Sequence, residues 1–346
     1  MAPCGGQVKF ALMLVLSPDK LARVFKRALY LLAAFSAAGT LQAQSIPAEF
    51  IAVEFVSAHP DGNVLKGYLS RAIDEIKPGL TEPLVVALHG CGGLWDAIGE
   101  LGLRYREYRA WLKTRGISLL LVDSFGTRGK ARGICTEPLA HRSIRPVDRR
   151  LDVQGALQWL QGQAWVDRQR VFLLGWSHGA STVLSTLNRD NAQAIATEGT
   201  PNIAGGTATS ASHPVPTTRP RELMDFKAAI AFYPGCGPAS QNPDYQLTTA
   251  LLLMIGEDDN WTPARDCERF YRQQTEKLQQ RGLESGLFQL KLYPGAHHGF
   301  DSSLPVRHRR DVPNGVNRGR GVTAGGHPAS REDAFKTLDV FLKQYL

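Results

Sequence analysis

The 346-residue sequence lacks any repeat of fixed period, so solenoid and propeller architectures are not expected. It also lacks a long apolar run. The most apolar stretch, ALYLLAAFSAA at 28–38, is short of the about 20 residues a transmembrane helix needs. Cysteine is scarce, five in all, and no CxxC pair or His/Cys cluster carries metal-ligand spacing. Neither a metal nor a cofactor is therefore expected. A hydrophobic fraction of 43% with only 21% charged residues excludes a disordered chain.

The charge imbalance is small and unevenly placed. The formal net charge is +8, and residues 1–43 hold half of it, through Lys9, Lys20, Arg23, Lys26 and Arg27 against Asp19. A remainder of +4 over some 300 residues gives no argument for a nucleic-acid partner. Lys26 and Arg27 precede the apolar run, and small residues follow it to Ala43. That order of positive, apolar and small segments is the pattern of a secretory signal. The expected organisation is a leader over residues 1–43, with Met13 as an alternative translation start, and one domain over 44–346. The product would be periplasmic or secreted, with no stable membrane insertion after processing. Export leaves Cys91, Cys135, Cys236 and Cys267, an even number in an oxidising compartment, which predicts two disulfides.

From residue 48 onward, short apolar runs alternate with helical stretches. PLVVALHG (83–90), ISLLLVDSF (117–125), RVFLLGW (170–176), AAIAFYPG (228–235), ALLLMIGEDD (250–259) and FQLKLYPG (288–295) read as strands. Segments such as YREYRAWLKTRG (105–116) and RRLDVQGALQWLQGQ (149–163) read as helices between them. The alternation predicts an α/β fold with a mainly parallel central sheet and helices on both faces. Residues 190–222 and 301–330 break the rhythm and read mostly as loop.

Reactive groups in such a sheet collect at the carboxyl ends of its strands. Gly175-Trp176-Ser177-His178-Gly179 stands at one, between strand and helix, as a G-x-S-x-G nucleophile elbow. The glycines allow a turn too tight for Cβ atoms, and the turn sets the Ser177 hydroxyl beside a helix N-terminus, where N–H groups favour an oxyanion. A serine needs a base, and the base needs an orienting acid. The acids of IGEDDNWTP (255–263) and the histidines of YPGAHHGFD (293–301) follow the next strands, in the order Ser, Asp, His.

Taken together, LHGCGG, GWSHGA, IGEDDNWTP and YPGAHHGFD resemble the dienelactone hydrolase family of the α/β-hydrolase superfamily, over roughly residues 60–345. The resemblance implies the α/β-hydrolase fold. It also implies Asp259, three residues past Gly256, as the acid, and His298, before Gly299-Phe300, as the base, with Ser177 as nucleophile. Asp258 and His297 remain open as neighbours. The family's namesake enzymes carry cysteine at the elbow, and the serine here points to more ordinary ester cleavage.

The backbone N–H of His178 is one expected oxyanion donor. The second is expected from the loop after VVALHG, at Cys91, with Gly92 as the alternative. Cys91 lacks an elbow and is a poor candidate nucleophile. Shared positions near strand ends pair Cys91 with Cys135 and Cys236 with Cys267. The basic stretch at 123–146 offers Arg128 and Arg132 to hold an acidic ester or lactone, and Trp176 flanks the nucleophile as a further substrate contact. The leading expectation is an exported serine esterase or lactonase acting on a small molecule. A peptidase or acyltransferase on the same scaffold, and a binding protein without activity, are the competing readings.

Overall fold

A computed structural model describes residues 44–73, 79–188 and 225–346. The expected leader at 1–43 and the whole of the irregular stretch 190–222 lie outside the described residues. Gln44–Leu346 forms a unit of its own, built around one sheet.

Eight strands make up that sheet, in the order β1-β2-β4-β3-β5-β6-β7-β8. β1 (Ile51–Val56) and β2 (Val64–Ser70) form an antiparallel hairpin, and β2 runs antiparallel to β4 (Ser118–Asp123). From there every pairing is parallel, through β3 (Glu82–Leu88), β5 (Val166–Trp176), β6 (Ala228–Phe232), β7 (Ala250–Gly256) and β8 (Phe288–Tyr293). All of β4, β6 and β7 is buried, which is why those segments read as unbroken apolar runs and not as alternation.

Among the described residues six helices lie around the sheet: α1 (Leu103–Lys113), α2 (Pro146–Gln161), α3 (His178–Thr186), α4 (Gly237–Gln241), α5 (Ala264–Gln280) and α6 (Pro328–Lys343). α5 is the most plainly amphipathic, burying Ala264, Cys267, Phe270, Gln274 and Leu278 along one stripe. α2 differs, since its buried face includes Arg149 and Asp152 among the apolar residues.

Two disulfides join Cys91 to Cys135 and Cys236 to Cys267. The first sits in a small separate apolar cluster with Phe125, Ile134, Ile144, Val312 and Val322. The stretch 301–330 is more ordered than its composition predicts. It forms an antiparallel ribbon of β9 (Arg307–Arg309) and β10 (Val322–Ala324), and the Gly325 N–H donates to the His298 carbonyl at 2.9 Å. The ribbon thereby anchors the loop after β8. Among the described residues no helix is long and apolar enough to cross a membrane.

Candidate active site

Ser177 follows the last residue of β5 and precedes α3, with φ of 53° and ψ of −113°. A non-glycine residue with such a φ is strained, and the surrounding contacts must hold it. The Ser177 N–H donates to the Phe232 carbonyl at 2.9 Å. The two glycines are sterically required. A Cβ on Gly179 would overlap the Leu88 carbonyl oxygen, and one on Gly175 would overlap the Gly179 backbone. α3 can therefore pack directly over the ends of β3 and β5.

The loops after β7 and β8 bring two more groups to the hydroxyl. His298 Nε2 lies 2.9 Å from Ser177 Oγ, and His298 Nδ1 lies 2.7 Å from Asp259 Oδ2. His298 and Asp259 are both buried. The other oxygen of Asp259 accepts from the N–H groups of Trp261 and Thr262, each at 2.8 Å, and Thr262 Oγ1 stands 3.0 Å from Oδ2. An acid held this way leaves Nδ1 of the imidazole as the donor and Nε2 as the acceptor facing serine. The His298 ring packs against Trp261 and Tyr233, with centroids 4.6 Å away in each case. The open alternatives lie elsewhere: Asp258 is exposed, and the His297 Nδ1–H donates to its main-chain carbonyl at 3.0 Å.

α3 begins at His178, so the His178 N–H has no carbonyl one turn earlier within the helix. Cys91 and His178 line the same cavity as Ser177. The His178 side chain turns away from it. Its Nδ1 accepts from Arg149 Nη1 at 3.0 Å, and its Nε2–H donates to the Ile144 carbonyl at 3.0 Å. Burial, with the Arg149 charge beside it, holds this imidazole well below its ordinary pKa, so it stays neutral.

The cavity over Ser177 encloses about 1100 Å³ and is mainly apolar in its walls. Arg142, Arg145, Arg265 and Arg318 also line it. Arg145 pairs with Asp148, whereas the other three form no ion pair with a described carboxylate. Arg142 stands out because its Nε and Nη2 are buried without a hydrogen-bond partner among the described residues.

The expected substrate contacts require correction. Arg128 faces inward, its two terminal nitrogens bonded to Asp152 at 2.8 Å each and one of them to the Ser124 carbonyl. The buried Asp152 on α2 captures it, so it is not free for a ligand. Trp176 is fully buried, because the residue before an elbow is still strand and this one points into the core. Its indole N–H donates to Asp301 Oδ2 at 3.0 Å. Arg132 lines a different cavity of about 520 Å³ beside Gly92, with Arg307 and Arg309.

Asp301 closes the YPGAHHGFD stretch, but the sequence assigns it no role. It is fully buried and accepts from Arg104 Nε and Nη2 (3.2 Å each), Tyr108 Oη (2.9 Å), Trp176 Nε1 (3.0 Å) and Tyr233 Oη (2.6 Å). Its place two residues past Gly299 is visible, but nothing in the sequence points to the distant donors. Among the described residues no group of His, Cys, Asp and Glu could hold a metal ion.

A model of the prolyl oligopeptidase family matches residues 145–310. No curated protein sequence matches the chain. Among solved structures, the native esterase 2 of Thermogutta terrifontis aligns with 88% of this chain and 95% of its own, at 17% identity and a TM-score of 0.53. A putative dienelactone hydrolase from Klebsiella pneumoniae aligns over 86% of this chain and 99% of its own, at 14% identity and a TM-score of 0.52. Dipeptidyl peptidase 4 of Porphyromonas gingivalis aligns over 86% of this chain at 18% identity and a TM-score of 0.51, and the chain spans only 36% of that enzyme. The eight-stranded, mostly parallel sheet and these neighbours establish that the chain has the α/β-hydrolase fold.

Proposed function

We propose that the protein is an exported hydrolase that cleaves carboxylic esters or lactones through an acyl-enzyme on Ser177, in the manner of a dienelactone hydrolase with a serine nucleophile. The observation that carries this reading is the unbroken relay of 2.9 and 2.7 Å from Ser177 through His298 to Asp259. His298 Nε2 takes the hydroxyl proton as Oγ attacks the carbonyl carbon. The N–H groups of His178 and Cys91 receive the oxyanion. The alcohol then leaves with the proton from His298, and a water activated by the same imidazole releases the acid. Asp259 keeps the productive tautomer and stabilises the imidazolium.

The substrate is an acidic ester or lactone, with Arg142 and its neighbours in place of Arg128 and Arg132. A guanidinium with two buried, unpartnered nitrogens in the cavity wall favours a ligand that brings a carboxylate. Two disulfides support an oxidising, exported setting. A peptidase reading is favoured by the family match over 145–310 and by the peptidase among the structural neighbours.

One experiment separates these readings. The wild-type protein is treated with a fluorophosphonate probe and assayed on matched esters, lactones and amides, with and without a carboxylate. Labelling that is lost in Ser177→Ala, with kcat lowered roughly 10⁴-fold or more and esters preferred over amides, is the expected result. Preference for the amide supports the peptidase, equal turnover of neutral and acidic esters removes the anionic preference, and absence of labelling removes the enzyme reading altogether.

A further inference from the structure

Arg149 lies in the first turn of α2 and is fully buried, yet it is absent from the lining of the Ser177 cavity. Its Nη1 donates to the His89 carbonyl at 2.9 Å and to His178 Nδ1 at 3.0 Å. An NH2 group has two hydrogens, and each goes to a different segment. His89 belongs to the turn after β3 that leads directly into Cys91, while His178 opens α3. Cys91 and His178 both line the cavity over Ser177.

Both acceptors are themselves fixed. The His89 Nδ1–H donates to the Gly90 carbonyl at 2.8 Å, and its Nε2 accepts from the Ser124 N–H at 3.3 Å. The opposite edge of His178 is held by the Ile144 carbonyl. The Phe125 ring fills the space between, edge-on to His89 with centroids 4.4 Å apart and lying 5.0 Å from the Arg149 guanidinium carbon.

The charge is under-compensated. Asp152, three residues along the same helix, is bonded by Arg128 and Ser57. Arg149 Nε and Nη2 have no hydrogen-bond partner among the described residues, and burial pushes the pKa of the group down to about 10. A neutral amide could make the two hydrogen bonds without the cost of burying a cation. A cation placed behind two oxyanion donors gains its counter-charge when the tetrahedral intermediate forms.

We propose that Arg149 is a positioning residue that holds both halves of the oxyanion hole, the turn at His89–Cys91 and the start of α3, and adds its charge to the field there. This rests on the serine-hydrolase reading. It assigns Arg149 no contact with substrate, only with the segments that touch it.

The test uses the full chain with p-nitrophenyl acetate as substrate. It also compares inhibition by an aryl trifluoromethyl ketone, which forms an oxyanion on serine, with inhibition by the matching methyl ketone, which does not. Arg149→Gln is expected to lower kcat about 100-fold with KM within about twofold. Affinity for the trifluoromethyl ketone falls in proportion, affinity for the methyl ketone is unchanged, and fluorophosphonate labelling slows. Should that variant not fold, His178→Leu removes one of the two acceptors and leaves the charge in place; a smaller change of the same kind is expected. A rise in KM at constant kcat, or equal loss of affinity for both ketones, overturns the proposal. Wild-type labelling matched by equally fast labelling of Arg149→Gln overturns it too while leaving the hydrolase reading intact. Failure of the wild type to label overturns both.

Discussion

Asp301 and Arg149 are equally deep in the molecule and are treated in opposite ways. Four side chains saturate the carboxylate of Asp301, one of them a guanidinium bonded through two nitrogens. Burial and the neighbouring carboxylate push Tyr108 and Tyr233 well above their ordinary pKa, so both remain protonated donors. Arg149, by contrast, uses one nitrogen of three and meets no described carboxylate by hydrogen bond. A buried charge whose partners are complete at rest serves the scaffold: Asp301 ties α1, the end of β5, the end of β6 and the loop after β8 into one unit. A buried charge whose partners are incomplete at rest is suited to a site where charge appears only during reaction.

The comparison breaks most readily at Asp301. Asp301→Ala strands three buried aromatic donors and the Arg104 cation, whose side chain is 24% exposed, and removing one partner of a buried charged network costs about 3–5 kcal/mol. Urea unfolding should show a loss of that size with the slope m preserved. A loss under about 1 kcal/mol would mean that the donors relax to water, and the hub would then not be a scaffold element.

Acid sharpens the other side. Burial, with Arg149 beside them, holds His89 and His178 well below the ordinary value of 6.5 in the folded state. In the unfolded chain both bind a proton near that ordinary value, so the unfolded state takes up more protons as pH falls. Stability is therefore fully present above about pH 6.5 and declines below it. Two such groups give a slope approaching about 2.7 kcal/mol per pH unit. Unfolding free energies measured on either side of neutrality and down to about pH 5 test it. A slope of about half that size would show that one ring already carries a proton in the folded protein, and a flat profile that both do.

The unequal legibility of the two regions has a physical cause. Continuous apolar runs such as SLLLVD and ALLLMIG announce strands of a sheet covered on both sides, and Gly175 and Gly179 announce the elbow because no other residue fits there. The chain order that placed Ser177, Asp259 and His298 after β5, β7 and β8 needs only local patterns. Side-chain direction is another matter. Trp176 adjoins the nucleophile yet points inward with the strand, and Arg128 sits in a basic loop yet turns back onto Asp152. Asp301 gathers donors 68 to 197 residues away in sequence, and no spacing rule reports that. Arg149 and Asp152 on the buried face of α2 run against the amphipathic pattern, which reads charged residues as solvent-facing. The ribbon at 307–324 is hidden by its glycine, proline and arginine content, which reads as loop.

The finest cut at the comparison is Tyr108→Phe. The hydroxyl of Tyr108 donates to Asp301 Oδ2 at 2.9 Å from α1, and its ring stacks edge-on to Trp176 and Phe232, so removing one oxygen leaves the packing intact. Asp301 keeps its other donors, and the loss is that of one hydrogen bond to a charged group, about 1.5–3 kcal/mol and toward the lower end because Arg104 still covers the same oxygen. Stability should fall by that amount in urea while kcat/KM stays within about twofold of wild type. That is the reverse of the pattern expected at Arg149, where turnover changes more than stability does. If Tyr108→Phe instead lowered kcat with little change in the unfolding midpoint, the saturated carboxylate would be reaching the relay through Trp176 or Tyr233. The division between a charge that builds the scaffold and a charge that waits for the reaction would then fail at Asp301 rather than at Arg149.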